Sequence, residues 1–523
     1  MNVLKNSYHS RVLWLIAIST LLRAFLAATL ELGNDEVYYR LYALYPDWSH
    51  FDHPPMVGLL MQLFSLNMIF QGELALRSGS IIIGALNIWL MFRIGTRIKD
   101  EKTGFYASLL YAASLYGSLI SGTFILPDTP QGFFWLLAIY LMVTTLPAGP
   151  KEEGSGKKML LLGLILGLGM LSKYTTIFLW LGMILYTGLF RREWFRNYAL
   201  YAAAIISFIC LLPVIVWNFQ NDFISFTFHS ERVDATNTGI NFNFFLREVI
   251  GEWLYNNPVN VVLILTALLL IAGWKLELKK AYQAILVLSS MPLIITFLFI
   301  SLFRETLPHW SAPAYVNLIF LGAALLAQLR RKKANAILIA SAGLTLLIVI
   351  AGYIQIQYGI ITFEKSPEYH RLGKNDPSVD MYGYRQAGQA FSKIVARDIA
   401  NGDMPENSVL FGDNWFPLAN YDYYAARPAG LHAMGIADLN HLHKYAWINQ
   451  ELGGFYLGMD GYYISDSRYY RIPQSSLSRY FEVTQAIDTI QIYRSNKIVK
   501  RVFVWRLKHM KELPADPFIK PGK

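Results

Sequence analysis

Apolar stretches of membrane-spanning length recur along the first two thirds of the chain and end near residue 357. They lie at residues 12–30, 77–97, 103–121, 131–147, 159–172, 174–190, 198–219, 258–274, 281–303, 312–328 and 335–357. Since a transmembrane helix needs about 20 mainly apolar residues, we predict a mainly α, polytopic membrane protein with about 11 transmembrane helices.

The segment after residue 357 has the mixed polar and apolar pattern of a soluble domain. Its signals are helical spacing at 383–400, a strand-like run at 408–411, a turn or cap at Asp413 and Asn414, and alternation at 486–493 and 498–506. These signals predict a small α/β or α+β domain. We therefore predict a transmembrane domain at 1–357, including a first outer loop at 31–76, and a soluble domain at 358–523.

Composition and charge placement support this class. Of the 523 residues, 54% are hydrophobic and 16% are charged, whereas soluble domains are about a quarter charged. The net charge of +10 does not indicate nucleic acid, because the basic residues gather in clusters between the apolar spans. The clusters lie at 93–102, 157–158, 191–192, 275–280 and 330–333. All fall on one side of the predicted topology, so the N-terminus is expected in the cytoplasm and the soluble domain outside.

Within the first outer loop, the stretch from Gly33 to Pro55 carries the adjacent acids Asp35 and Glu36. Asn34 can cap a helix, and acids in the first turn of a helix are favourable, so both acids could be structural. A carboxylate at a water-accessible membrane face could equally serve as a general base. The aromatic residues that follow would rest on the bilayer surface.

A second candidate carboxylate, Asp128, lies between two prolines in the next outer turn. An aspartate in this context is commonly turn chemistry. The predicted topology nevertheless places it on the same membrane face as Asp35, so the two carboxylates could converge and divide base and electrostatic roles. If a divalent metal ion takes part, Asp35 and Asp128 are its candidate ligands.

Cationic side chains at the outer face or within the spans are candidates for binding an anion: Arg23, Arg77, Lys173 and Arg232. Arg23 lies inside the first span, where an arginine needs a polar partner, either a lipid-linked phosphate or an internal carboxylate. Lys173 could instead snorkel to the interface. Asp52 and His53, which precede two prolines, could bind a phosphate or a metal, or form a loop contact.

Two further outer connections combine polar and aromatic residues. Trp217, Asn218 and His229 lie in one, and His309 and Trp310 lie in the other. Aromatic belts at the membrane boundary would explain the aromatic residues alone. Substrate binding would also explain the polar ones.

These residues resemble motifs of the GT-C superfamily of membrane glycosyltransferases. The likeness is strongest to the bacterial ArnT-like group of family 39, which is related to the protein O-mannosyltransferases. The matching elements are Asp35-Glu36 with Tyr38-Tyr39, Phe51 to Gly58, Arg77, Pro127-Asp128, Gly169 to Thr175, Trp217-Asn218 to Arg232, and His309 to Pro313. In one departure, ArnT-like members have a lysine just before a proline in the first loop, where this chain has His53. The departure argues against aminoarabinose as the sugar.

The resemblance implies an inverting glycosyltransferase of the bacterial inner membrane. It would move a sugar from a polyprenyl-phosphate donor to a hydroxyl of a lipid, glycan or protein on the extracytoplasmic face. Asp35 would be the catalytic base, supported by Asp128 and by the adjacent Glu36. The candidates for binding the donor phosphate are Arg23, His53, Arg77, Lys173 and Arg232, and those for binding substrate are Tyr38, Tyr39, Asp52, Trp217, Asn218, His229, His309 and Trp310.

Two other functions fit parts of the pattern. A transporter or flippase of lipid-linked substrates would place ionisable groups near the middle of the bilayer, whereas the acids here lie at one face beside a large outer domain. A polymerase or ligase of surface glycans would use the same face and a diphosphate-linked lipid, and the sequence leaves that alternative open.

Overall fold

The computed structural model describes residues 7–234, 239–363 and 368–519. The chain divides into two compact units. The helical unit comprises Met1–Ala28 and Pro46–Ile348, and the sheet unit comprises Thr29–Tyr45 and Val349–Lys523. The domain boundary predicted at residue 357 stays a prediction.

Fifteen α-helices begin in the described part of the helical unit. Their bounds are Tyr8–Thr29, Met56–Phe64, Glu73–Ile98, Glu101–Ala112, Asp128–Thr145, Ser155–Met170, Ile177–Phe190, Tyr198–Gln220, Ile224–Val233, Phe242–Asn256, Pro258–Ala272, Lys280–Leu288, Met291–Ser301, Ala312–Gln328 and Arg331–Tyr358. Every apolar stretch named from the sequence coincides with one of these helices or with two consecutive helical segments.

Among the described residues, five helices are long and apolar enough to cross a membrane. They are Tyr8–Thr29, Glu73–Ile98, Tyr198–Gln220, Lys280–Ser301 with its short break, and Arg331–Tyr358. A sixth crossing results if the pair Phe242–Asn256 and Pro258–Ala272, which is bent by 100°, counts as one span. The predicted helical class is confirmed, and the total of about 11 crossings stays a prediction.

The helices of this unit expose apolar side chains and pack through small ones. On Tyr8–Thr29, Trp14, Ile18 and Leu21 are 63–72% exposed, as expected for a surface that faces lipid. Between two other helices, a Cβ atom on Gly163 would lie 2.4 Å from the carbonyl oxygen of Ala203. Such close backbone approach through small residues is typical of helix packing in membranes.

The sheet unit is built on one five-stranded sheet. In chain order its strands are β1 (Val409–Gly412), β2 (His432–Gly435), β3 (Gly461–Asp466), β4 (Phe481–Arg494) and β5 (Lys497–Met510). The order across the sheet is β2-β1-β3-β5-β4. β1 is parallel to both β2 and β3, whereas β5 is antiparallel to β3 and β4. The unit's α-helices are Asn34–Leu44, Tyr384–Ala400, Trp415–Tyr421, Leu439–Leu442 and Tyr445–Glu451.

The sequence signals for this region are confirmed. The helix predicted at 383–400 is Tyr384–Ala400, and the strand-like run before residue 412 is β1. Asn414 caps the helix after β1, because its side chain accepts a hydrogen bond from the backbone of Phe416. The two alternating segments form the β4–β5 hairpin.

Backbone and side-chain hydrogen bonds join residues 29–45 to the rest of the sheet unit. The carboxylate of Glu31 accepts bonds from the backbone N–H groups of Tyr384 (2.8 Å) and Arg385 (3.1 Å), at the start of a helix. The backbone N–H of Leu32 donates to the hydroxyl of Tyr424 at 2.6 Å. The start of the predicted first outer loop therefore belongs structurally with the C-terminal residues.

Candidate active site

A buried ion pair forms where two helical connections of the helical unit meet. Asp128 begins the helix Asp128–Thr145, and Lys173 lies in the break between Ser155–Met170 and Ile177–Phe190. The ammonium of Lys173 donates to both carboxylate oxygens of Asp128, at 3.0 and 2.9 Å. The side chain of Asp128 is 2% exposed, and that of Lys173 is 7% exposed. Separating the two groups would leave each charge buried without a partner, which is costly in free energy. The pair is therefore held in this geometry.

Two histidines lie near this pair and differ from it in charge. Burial alone would raise the pKa of Asp128, but Lys173 and His309 outweigh it and hold that pKa below its usual value. Burial lowers the pKa of His53 to about 3 and the pKa of His309 to about 4. Near neutral pH the site therefore combines an ionised carboxylate and an ammonium with two neutral imidazoles, each able to donate and to accept a hydrogen bond.

A third histidine fixes the loop that carries His53. Nε2 of His229 donates to the backbone carbonyl of Asp52 at 2.7 Å. The ring of His229 packs edge-on against Tyr174, with centroids 5.5 Å apart, and lies 6.0 Å from the ring of His53. Burial lowers the pKa of His229 as well. The helix Ile224–Val233 thus holds the predicted phosphate-binding loop in place.

Trp217 and Asn218 lie in the last turn of the helix Tyr198–Gln220. The indole N–H of Trp217 donates to the carboxylate of Asp47 at 2.8 Å. The amide of buried Asn218 donates to the backbone carbonyl of Val214 within the same helix, at 3.0 Å. Trp217 is therefore tied to the loop that follows residue 45, while the Asn218 N–H bond is local.

Arg232 is an exposed cation in the last turn of the helix Ile224–Val233. Its guanidinium lies 4.9 Å from the ring centre of Trp310 and 5.4 Å from that of Phe228. Within residues 7–234, 239–363 and 368–519, no carboxylate lies within ion-pair distance of it. A guanidinium on aromatic faces keeps its hydrogen-bond donors for a ligand anion.

Arg23 contacts backbone rather than another side-chain charge. It is 3% exposed, and its guanidinium donates to the carbonyls of Gly117 (3.0 Å) and Ser118 (3.4 Å). A Cβ atom on Gly84 would lie 2.7 Å from Nη1, and one on Gly122 would lie 2.9 Å from Nε. Two glycines thus make the space that this guanidinium occupies, next to the π-helical turn Tyr116–Ile120.

Arg77 also makes a backbone contact. It is fully buried, and its guanidinium donates to the carbonyl of Ala27 at 3.1 Å. Phe124 packs against the guanidinium, with its ring centre 5.4 Å away. This contact joins the first two long helices of the unit.

The predicted acid pair lies in the sheet unit, at the start of the helix Asn34–Leu44. Glu36 is 2% exposed, and its carboxylate accepts a bond from the backbone N–H of Gly33 at 2.8 Å. Asp35 is exposed. One acid therefore caps the helix, and the other faces solvent.

The predicted substrate residues Tyr38 and Tyr39 are buried in the same unit. The ring of Tyr38 lies 4.8 Å from that of Trp415, and its hydroxyl accepts a bond from the backbone of Lys444 at 3.3 Å. Two residues further along the helix, Arg40 forms a buried ion pair with Asp422 at 3.5 Å. These contacts anchor the helix that carries Asp35.

Two buried acids on the helix Phe242–Asn256 were not predicted from the sequence. Glu252 accepts bonds from the hydroxyls of Ser311 and Tyr315, and Glu248 accepts one from Thr306. Both acids are at most 2% exposed, while Leu246 and Ile250 of the same helix are 53% and 56% exposed. This pair could have been found from the spacing: the two acids are four residues apart, and so are Leu246 and Ile250. That spacing predicts a helix with a polar inner face and an apolar outer face.

The described residues contain no group of three or more His, Cys, Asp or Glu side chains placed to hold a metal ion. At Asp128, both oxygens are bonded to Lys173, so a metal ion there would first displace the ammonium.

The helical unit thus brings together five of the predicted site residues: Asp52, His53, Asp128, Lys173 and His229. His309 is near enough to affect the pKa of Asp128. The remaining assignments, including the convergence of Asp35 with Asp128, stay predictions.

Comparison with known proteins relates the chain to glycosyltransferases. Residues 52–217 match the family model described as dolichyl-phosphate-mannose-protein mannosyltransferase. The chain is 23% identical over 405 residues to the lipid A galacturonosyltransferase RgtD of Rhizobium johnstonii, covering 76% of this chain and 80% of the relative. It is 25% identical over 326 residues to an undecaprenyl phosphate-alpha-4-amino-4-deoxy-L-arabinose arabinosyl transferase of Pseudomonas aeruginosa, covering 58% of this chain and 56% of that relative.

Solved structures share the fold. ArnT from Cupriavidus metallidurans bound to undecaprenyl phosphate superposes with a TM-score of 0.60 at 15% identity, over 94% of this chain and 97% of that one. The oligosaccharyltransferase AglB of Archaeoglobus fulgidus gives a TM-score of 0.51 at 12% identity, over 90% and 70% of the two chains. The predicted resemblance to the GT-C superfamily and its ArnT-like group is confirmed, as are a multi-pass membrane protein and the class of glycosyltransferase.

Proposed function

We propose that this ArnT-like GT-C glycosyltransferase takes a sugar from a polyprenyl-phosphate donor and transfers it, with inversion, to an acceptor hydroxyl on the extracytoplasmic face of the bacterial inner membrane. The observation that carries the proposal is the buried Asp128–Lys173 pair beside neutral imidazoles. It provides fixed charges and hydrogen-bond donors in a region from which water is largely excluded. The likeness to a structure bound to undecaprenyl phosphate supports the donor class.

The leaving group of this reaction is a phosphate, so the site must stabilise developing negative charge. Lys173 keeps one ammonium hydrogen beyond the two that Asp128 accepts, and His53 and His309 can donate to phosphate oxygens as neutral rings. Arg232, exposed and held on Trp310, supplies a full positive charge. Arg23 and Arg77 are the weaker candidates, because backbone carbonyls already receive their donors.

The acceptor hydroxyl must lose its proton as it attacks the anomeric carbon. Asp35 is the proposed base, since it is exposed and its helix is anchored by buried contacts on either side. The oxygen–carbon bond to the acceptor forms as the carbon–oxygen bond to the phosphate breaks. The products are a glycosylated acceptor and polyprenyl phosphate, and the proton resides on Asp35 until solvent takes it.

Lipid and glycan mass spectrometry of cells with and without the gene tests the reaction class. The proposal expects one envelope glycan to lose a sugar residue in the deletion and a polyprenyl-phosphate sugar to accumulate. That lipid, supplied to vesicles containing the purified chain, should then lose its sugar to the identified acceptor.

The same vesicles separate the alternatives. Movement of the lipid across the bilayer without sugar transfer would replace the proposal with a flippase. Transfer only from a diphosphate-linked oligosaccharide would replace it with a glycan polymerase or ligase.

A further inference from the structure

The sheet unit contains a pocket at the carboxyl ends of its parallel strands. Its volume is about 450 Å³, within the range of ligand sites. Gly412 and Asp413 line it at the end of β1, and Ser467 and Arg468 line it just after β3. We call this cavity the strand-end pocket.

The topology makes this edge of the sheet a natural binding position. From β1 the chain crosses to β2 on one side, and it then returns past β1 to β3 on the other. Right-handed crossovers in opposite directions leave their connections on opposite faces of the sheet, which opens a crevice between the two strand ends. Ligands of open α/β sheets bind at such a reversal of strand order.

The walls of the strand-end pocket are rich in positive charge. They contain Arg371, Lys374, Arg468 and Arg471, against one carboxylate, Asp413. Arg468 is committed to Asp380, which binds it through two oxygens. Arg471 and Asp413 form a partly exposed pair at 3.5 Å, and exposed pairs of this kind are weak.

Lys374 is exposed, and within the described part of the chain no carboxylate lies within ion-pair distance of its ammonium. Arg371 is engaged by Glu368, which does not line the pocket, at 3.3 Å. We therefore assign the anion of a ligand to the other two cations, Lys374 and Arg471.

Six of the other residues that line the pocket are aromatic: Phe411, Phe416, Tyr421, Tyr463, Tyr469 and Tyr470. Phe416, Tyr469 and Tyr470 are partly buried and line the pocket. The rings of Phe416 and Tyr469 meet edge-on with centroids 4.8 Å apart, and Tyr470 stacks on His370 at 4.5 Å. Neighbouring contacts hold these rings in place. Fixed aromatic faces beside carboxylate and hydroxyl groups suit a sugar ring, which has apolar C–H faces and a polar rim.

We propose that the strand-end pocket binds a saccharide that carries a phosphate or a carboxylate. Lys374 and Arg471 hold the anionic group, Phe416 and Tyr470 contact the ring, and Asp413 accepts from its hydroxyls. That this saccharide belongs to the acceptor rests on the proposed function. Binding itself does not depend on it.

Titration of the purified full chain tests the binding directly, with glucose 1-phosphate, galacturonic acid and glucose as probes. We expect at least one of the two anionic sugars to bind at least about tenfold more tightly than glucose, since hydrogen bonds to charged groups are the stronger ones. The two anionic probes separate a phosphorylated from a carboxylated ligand.

The double variant Lys374→Ala/Arg471→Ala should weaken binding of the preferred anionic sugar about tenfold or more. Its matched control is Lys393→Ala/Lys511→Ala, which removes the same charge from exposed positions of the same unit that do not line the pocket. The proposal is overturned if glucose binds as tightly as the anionic sugars, or if none of the probes binds. It is also overturned if the control variant loses as much affinity as Lys374→Ala/Arg471→Ala.

A sugar-transfer assay distinguishes this proposal from the one before it. Transfer by a chain that binds none of the probes would reject the strand-end pocket alone. If the chain binds the anionic sugars selectively but transfers no sugar, the glycosyltransferase reaction is rejected and the proposal for the strand-end pocket is retained.

Discussion

The two carboxylates proposed to share the chemistry have opposite surroundings. Asp128 is 2% exposed, and Lys173 bonds both of its oxygens. Asp35 is exposed at the start of a helix, where its neighbour Glu36 makes the helix cap. One carboxylate is a fixed negative charge in the helical unit, and the other stands on the surface of an anchored helix in the sheet unit.

This difference assigns roles. A general base must reach its proton donor and change protonation state during each turnover, which suits an exposed group. A buried carboxylate already neutralised by an ammonium cannot take a proton without breaking its pair, so Asp128 can position and polarise but is a poor base. Substitutions at each carboxylate and its neighbours test whether the two roles are separate.

Asp35→Asn tests the exposed carboxylate. We expect kcat/KM for sugar transfer to fall about 10²- to 10⁴-fold, because the general base is lost. The thermal unfolding midpoint should stay within error, because exposed substitutions change stability little. The control is Asp222→Asn, the same chemical change at an exposed position of the helical unit. If Asp35→Asn transfers sugar with the kcat/KM of the wild type, Asp35 is not the general base.

Lys173→Met tests the buried carboxylate. Removing the ammonium leaves the charge of Asp128 uncompensated, which should cost about 3–5 kcal/mol of stability. Thermal unfolding in detergent measures the loss. The double variant Asp128→Leu/Lys173→Met should recover most of that stability while transfer stays low. If the single variant unfolds like the wild type, the pair is not the fixed element described here.

Mild acid should affect the helical unit through its histidines. The pKa of His53 is about 3 in the folded chain and about 6.5 in an unfolded one. The unfolded chain therefore binds the proton first, and stability present above about pH 6.5 is lost as the pH falls. Between pH 7 and pH 5 the loss from His53 alone should reach about 2 kcal/mol, and His309 and His229, whose pKa values are also lowered, add to it.

Unfolding midpoints at pH 7, 6 and 5 measure this loss, and His53→Asn should flatten their slope. Asp128 does not contribute to the loss of stability between pH 7 and pH 5. Because its pKa is lowered in the folded chain, the stability that it provides is lost only as the pH falls below the unfolded aspartate pKa of about 3.9. An unchanged slope in His53→Asn would show that His53 is not buried as neutral imidazole.

Substitution of Glu36 tests whether the acid next to Asp35 only caps the helix. Glu36→Gln keeps a side-chain acceptor for Gly33, so stability and transfer should both stay near wild type. Glu36→Ala removes the cap and should cost about 1 kcal/mol. A large loss of transfer in Glu36→Gln, with stability intact, would give this acid a chemical role instead.

Local pattern was enough to predict most elements. Apolar runs gave the helices, alternation gave the β4–β5 hairpin, and Asn414 was recognised as a turn or cap residue. Each of these depends on neighbours within a few positions, so the chain itself carries the signal.

Long-range pairings were not predictable in the same way. Asp128 and Lys173 are 45 positions apart, and each had a simple local explanation, in a turn and as a snorkelling lysine. The bonds from Glu31 to the helix at Tyr384 join residues more than 350 positions apart. Glu252 went unnoticed because its partners are distant in the chain: Ser311 lies just before the helix Ala312–Gln328, and Tyr315 lies in its first turn.

The space around Arg23 links three positions that are far apart in the chain. Its guanidinium fits only because Gly84 and Gly122 carry no side chain. A lineage that exchanged this arginine for a small apolar residue would relieve the two nearest contacts at Gly84, whereas position 122 would stay glycine, because a Cβ atom there would also lie 2.5 Å from the carbonyl oxygen of Gly117. Alanine at Gly84 while the arginine is kept would force the two side chains to collide. Substitutions at positions 23 and 84 should consequently be inherited together, with glycine retained at 122.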